Sequence, residues 1–290
     1  MDTTLTPQVA EPTSSVSRKR FRLDVDPKTL ILLPETTYDG RHYPPLYVSI
    51  SLLGIQDDLS SDSLKTAGRV MGLDLKNTNK DRFGREFIGN LERLQATLLA
   101  NMLSATQLDI RRRIDLVLLL RAGLAGGVVY DGTKNRLSSD ECGLALEQVF
   151  YNRGQIIGEH LDASFKGTQE QLILNTNHRF VNSHGEVGTT EDSGLRPNQL
   201  LYDSYPLEYR VEGGWKDCVM SFDGADQFGI PTKKGNDIDF QYPRPGSSAR
   251  MLLGGWAIRE TDRPWLICYG VPGSRGSIMG LRYAKIADNI

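Results

Sequence analysis

An α+β fold with segregated elements is what this 290-residue sequence predicts, on three observations. Strand-like residues appear early, apolar stripes of helical period fill the middle, and short aromatic-rich runs broken by Gly and Pro fill the last third. Strands, then helices, then strands argue against a run of βαβ units. The expected organisation is a disordered tail at 1–17, a basic arm plus mainly helical region at 18–180 and a β-rich region at 181–290. Helices are expected from about 62 to 160. The last two regions form either two domains or one continuous domain, since no Pro- or Ser-rich linker divides them.

The tail is rich in Thr, Ser and Pro, with too few apolar residues to offset the entropy of ordering it. Leu30 to Leu33 then reads as a first strand, Tyr38 to Pro45 as a turn, and Leu46 to Leu53 as a strand with alternating faces. Phe87, Leu91, Leu94, Leu98 and Met102 recur at steps of four and three, which predicts a helix from about Glu86 to Ala105. A second helix follows Thr106 and ends near Gly123, its Leu116 to Leu120 run lacking a polar face. Ser138 or Ser139 caps a third helix that carries Asp140 and Glu141 in its first turn and runs to about Gly158. Its expected buried face includes Leu144, Leu146, Val149, Phe150 and Ile157.

Beyond His178 the candidate strands are Leu207 to Val211, Asp217 to Phe222, Met251 to Ile258, Trp265 to Val271 and Ile278 to Ile286. The segment His184 to Pro197 reads as a long exposed loop. No internal repeat is visible.

Composition bounds the function. With 34 Lys and Arg against 36 Asp and Glu, the net charge of -2 excludes a surface that is basic throughout, so any contact with nucleic acid is local. No apolar run reaches the roughly 20 residues that span a bilayer, so no membrane is expected as a partner. Cys142, Cys218 and Cys268 are odd in number and far apart, as expected of free thiols in an intracellular, reducing compartment, and residues 1–17 lack the features of a secretory signal.

The strongest local feature is the cluster Arg18, Lys19, Arg20 and Arg22, four cations in five residues. On a mobile arm they would neutralise phosphates and release counterions; the same residues also read as a nuclear import signal or a solvated strand start. Arg111, Arg112 and Arg113 form a second cationic patch, expected to reach out of the second helix. At about 100° per residue they span roughly 200° and do not all face one ligand. With Asp109 and Asp115 nearby, a solvated or salt-bridged helix face is the commoner alternative to phosphate contact.

His42, His160, His178 and His184 lack metal-ligand spacing, so no metal is expected. Residues 159–162 and 178–186 join acid and imidazole in what reads as surface loops, and no nucleophile elbow accompanies them. Asp223, Asp226, Asp237 and Asp239 fail the EF-hand spacing. Gly123 to Gly132 lacks the Lys-Ser/Thr end of a phosphate loop, and Gly273 to Ser277 with Arg275 is either a hairpin or an anion-binding turn. No cofactor is indicated.

The reading that joins these features is a self-assembling, non-enzymatic structural protein that coats or packages nucleic acid, RNA or DNA, in the manner of a viral coat or nucleocapsid subunit in a virion. Arg18, Lys19, Arg20 and Arg22 would contact phosphates, helped by one or more of Arg111, Arg112 and Arg113, and apolar surface would join the homo-oligomer. The alternatives are an enzyme with a site assembled from dispersed loops around His160, His178 and His184, and a monomeric nuclear binding or adaptor domain.

Overall fold

The computed structural model describes residues 25–54, 68, 78–81, 83–149, 157–167, 172–181, 187, 199–207, 218–241, 250–256, 265–268 and 279–287. The 1–17 tail, the cations at 18–22 and most of the 184–197 loop lie outside the described residues.

The chain is a mixed α+β protein. The N-terminal part holds β1 (Leu30–Leu33), the hairpin β2 (Thr36–Tyr38) and β3 (Arg41–Tyr43), then β4 (Leu46–Ser49), and a second hairpin, β5 (Thr78–Lys80) with β6 (Glu86–Ile88). Helix α1 (Arg93–Met102) leads through β7 (Thr106–Gln107) to α2 (Ile110–Leu124) and α3 (Ser139–Val149). The remainder is β8 (Ile157–Gly167), β9 (Leu172–Val181), β10 (Gln199–Leu207), β11 (Cys218–Met220), β12 (Ile238–Gln241), β13 (Arg250–Trp256), β14 (Trp265–Cys268), β15 (Met279–Gly280) and β16 (Tyr283–Ile286). No helix among the described residues is long and apolar enough to cross a membrane.

Two main sheets result. The smaller is antiparallel, in the order β1-β4-β16-β7, so the last described strand lies between strands from the first 110 residues. The larger runs β10-β9-β8-β13-β14-β12-β11, antiparallel except for the parallel pair β12 and β14, with β15 added parallel to β8. Strand β13 pairs with β8, so hydrogen bonds join the chain before and after residue 181.

Local chemistry explains where the helices begin and end. The helix expected from Glu86 starts at Arg93, because Glu86 to Ile88 pair as a strand and Asn90 takes a left-handed φ of 57°. Glu92 and Gln95 then cap it reciprocally. Its buried face is also rotated from the expected one: Leu94 and Leu98 are half-buried, whereas Ala96, Leu99, Ala100 and Leu103 are enclosed. Asp109 caps α2 by accepting from the backbone N–H of Arg112 at 2.8 Å. At the other end Gly126, at φ 93°, forms a Schellman stop in which Gly127 N–H donates to Ala122 O and Gly126 N–H to Gly123 O. Ser138 and Glu141 form the capping box of α3. The described part of that helix is Ser139–Val149, Phe150 lies outside the described residues, and Ile157, expected on the helix face, belongs to β8; Leu144, expected inside, is exposed.

Two apolar cores share these elements. One lies among α2, α3 and the two main sheets, with Ile114, Val117, Leu146, Val48 and Phe165 at its centre. The other packs α1 against the small sheet through Leu99, Leu103, Tyr47, Leu281 and Tyr283. Because Val48 belongs to the first and Tyr47 to the second, β4 is buried on both faces, and the expected alternation of exposed residues is absent.

The turn at 226–230 is seated on the start of α2. Asp226 accepts from the N–H groups of Phe228 and Ile230, and Gly229 adopts φ 80° with its α-carbon facing the Arg111 backbone. A β-carbon at Gly229 would lie 2.5 Å from Arg111 N. Gly229→Ala therefore combines left-handed strain with a backbone clash, and is expected to cost about 3 kcal/mol. Urea unfolding measures this; an unchanged midpoint would mean that the turn does not pack on α2.

Candidate functional site

The three arginines expected to point away from α2 are buried, at 2%, 2% and 6% exposure for Arg111, Arg112 and Arg113. This corrects the expectation of an exposed cationic helix face. Arg111 and Arg112 converge on Asp115, while Arg113 turns to the large sheet. Arg111 pairs with Asp115 at 2.7 Å, lies over the Tyr38 ring and donates to Ala225 O. Arg112 pairs with the other Asp115 oxygen at 3.2 Å and donates to Thr36 Oγ1, Pro34 O and Pro44 O. Arg113 pairs with Glu159 on β8, whose second oxygen takes Arg282 at 2.7 Å. Loss of hydration pushes the Arg113 guanidinium down to about 10, while Glu159 favours its charge.

A second polar group fills the space where α1 packs on β8 and β9. Arg93, Thr97 and Asn101, four residues apart on α1, are all buried. Thr97 Oγ1 donates to Gln107 Oε1 at 2.7 Å, Gln107 donates to His160 O, and the His160 ring bonds Leu91 O at 2.8 Å. Asn101 Oδ1 accepts from Phe180 N at 2.8 Å. Arg93 is buried with Nε and Nη1 lacking a hydrogen-bond partner, within the field of Asp162.

Asp162 itself faces His178. Its carboxylate accepts the His178 backbone N–H at 3.0 Å and takes the ring Nδ1 at 2.6 Å, while the ring Nε2 lies 3.4 Å from Ser164 Oγ. All three are buried, and the half-exposed Tyr202 ring packs on the imidazole at 5.3 Å between centroids. The sequence singles out His160 and His178 but places their segments in loops; both histidines are on buried strands. Ser164 and the Asp162–His178 pairing are not among the sequence candidates, although the alternation of Leu161, Ala163 and Phe165 is the signal of a strand there.

A third feature lies where the N-terminal segment joins the fold. Gly132 N–H donates to Pro27 O and Leu30 O, and Leu32 N–H to Tyr130 O, which docks the chain just after the basic cluster onto the α2–α3 connection. That connection carries exposed Lys134 and Arg136, with exposed Lys28 across from it. Of the eight exposed large apolar side chains among the described residues, Leu124 ends α2, Val128 and Tyr130 belong to the same connection, and Leu144 lies midway along α3 beside Gly143, whose α-carbon faces the Leu124 side chain.

Of the acidic group at 223–239, Asp237 pairs with Arg121 at 2.6 Å and Asp226 shapes its turn. No cluster of three or more potential metal-binding side chains occurs among the described residues. No family model matches the chain, and neither the curated proteins nor the solved structures contain a match.

Two predictions test this electrostatic arrangement. Glu159→Gln leaves Arg113 and Arg282 buried without their carboxylate, and is expected to lower stability by about 3–5 kcal/mol in urea unfolding. The pH dependence carries two opposed contributions. Burial pushes Asp109 up from 3.8 to about 6, so its contribution is present below 3.8 and lost as pH rises through 6. Burial pushes His160 down from 6.5 to about 4, so its contribution is present above 6.5 and lost as pH falls through 4. Stability differences between wild type and Asp109→Asn should fall with rising pH between about 4 and 6, and those between wild type and His160→Gln should rise over about 4 to 6.5.

Proposed function

We propose that the chain is a self-assembling structural protein that coats or packages nucleic acid, RNA or DNA, in the manner of a viral coat or nucleocapsid subunit in a reducing compartment. The observation that carries this reading is the coincidence at the arm's root. The chain that follows Arg18, Lys19, Arg20 and Arg22 is held at Pro27 and Leu30 against the α2–α3 connection. Exposed Lys28, Lys134 and Arg136 extend the positive charge there, and exposed Leu124, Val128, Tyr130 and Leu144 offer apolar surface. A second copy covering that apolar surface is thereby brought to the same edge as the phosphate-binding arm. The arm and this edge, rather than the enclosed Arg111, Arg112 and Arg113, supply the cations for phosphate, because the α2 triplet is committed to ion pairs and carbonyls within the fold.

Light scattering on a sizing column, with absorbance at 260 and 280 nm on the same peak, tests the reading. The expected result is an assembly carrying nucleic acid that high salt strips. Deleting residues 1–22 should flatten the dependence of log affinity on log salt by about 3–4 for duplex, from four lost phosphate contacts. Leu124→Glu with Leu144→Glu should yield smaller species. A 32.3 kDa monomer free of nucleic acid would sink the proposal.

A further inference from the structure

We propose that Ser164, His178 and Asp162 form a nucleophilic site that hydrolyses small carboxylic esters through an acyl-Ser164 intermediate. The inference is independent of the coat reading, since the site occupies the β8–β9 pair and uses none of the arm.

The geometry assigns each group a role. Asp162, an acceptor when ionised, takes the proton-bearing Nδ1 of His178 at 2.6 Å and also accepts the His178 backbone N–H, so it fixes both tautomer and ring. That leaves the Nε2 lone pair directed to Ser164 Oγ, 3.4 Å away. The contact is looser than the roughly 2.6–3.2 Å of an engaged pair, as is common in sites without substrate. Asp162 and Ser164, two apart on β8, share a face of that strand.

His178 joins that pair because β9 is irregular. Asn177 takes a left-handed φ of 55°, and the pairing of β10 with β9 shifts register between Leu201 and Asp203, opposite this point. Such a bulge re-aims the following side chain. Arg93 adds a buried guanidinium with two unpartnered N–H-bearing atoms in the field of Asp162, a positive group that the fold leaves unsatisfied. Tyr202, 49% exposed, packs on the His178 ring at 5.3 Å between centroids, and the burial of all three site groups favours small substrates.

In the reaction, Ser164 Oγ bonds to the ester carbonyl carbon as its proton passes to His178 Nε2. The ester C–O bond breaks and His178 returns the proton to the leaving alcohol. Water, deprotonated by the same nitrogen, then attacks the acyl-serine, releasing the acid and restoring Ser164. The balance is ester plus water to acid plus alcohol.

The test treats the native full-length chain with a fluorophosphonate probe and maps the label by peptide mass spectrometry, alongside p-nitrophenyl acetate hydrolysis. The expected label is on Ser164, absent after prior unfolding in urea. Ser164→Ala should lose labelling and at least about 100-fold in hydrolysis. Asp162→Asn, a change at a positioning residue, should slow acylation and displace its pH profile. Mapping on the wild-type chain stands even if a variant fails to fold. No label, a label at another residue, or hydrolysis that survives Ser164→Ala overturns the proposal.

Discussion

Three consecutive cations at the start of a helix are the constraint on which this structure turns. Apolar burial holds the layers together but is non-directional. The planar guanidinium groups of Arg111, Arg112 and Arg113 supply direction, because each must find acceptors in a fixed fork geometry once it is out of water. Arg112 gathers the carbonyls of Pro34 and Pro44, and Arg111 holds the Tyr38 ring and Ala225. Arg113 and Arg282 share Glu159, which ties α2, the large sheet and the approach to β16 at one carboxylate. Arg282 also donates to Ser49 O and Ile50 O, so the same linkage reaches the end of β4.

These cations lie at the N-terminal end of α2, where the helix dipole disfavours them. Asp109 at the cap and Asp115 one turn on offset that field, and Asp115 accepts from Arg111, Arg112 and Tyr38 together. Buried charge of this kind is a weak source of net stability, since desolvation consumes much of the attraction. Its effect here is geometric: it sets where the β2–β3 hairpin, the 225–230 turn and the small sheet sit relative to one helix. The two proposed functions then fall on different parts of the molecule. The arm root and apolar edge sit at the α2–α3 connection, and the Asp162–His178–Ser164 group sits in the large sheet.

The periodicity of individual elements is legible in the amino-acid sequence. Leu30 to Leu33, the Ser138 cap with its acidic turn, and the extent of α2 to Leu124 follow from side chains a few residues apart. The sequence misleads where a local pattern has two readings. Phe87 and Leu91 continue the stripe of α1, but Asn90 breaks the helix and Phe87 pairs in a strand. Arg93, Thr97 and Asn101 mark a polar stripe that is enclosed because it meets polar groups from the large sheet, a partner no local window contains. The acid and imidazole around residues 160 and 178 are visible as composition, and their alignment depends on the register of β8 against β9.

By itself, then, the sequence determined the α+β class, the cap at Ser138, and the presence of one basic cluster ahead of the first strand. Each of these depends on neighbours within one or two turns of chain. Only the tertiary structure decided that β16 returns to pair with β4, that the α2 arginines face inward, and that Ser164, His178 and Asp162 meet. The physical reason is common to all three. A charged or polar side chain is stable inside or outside according to whether distant segments bring it a partner, and that pairing is a property of strand register and layer packing, which no local periodicity encodes.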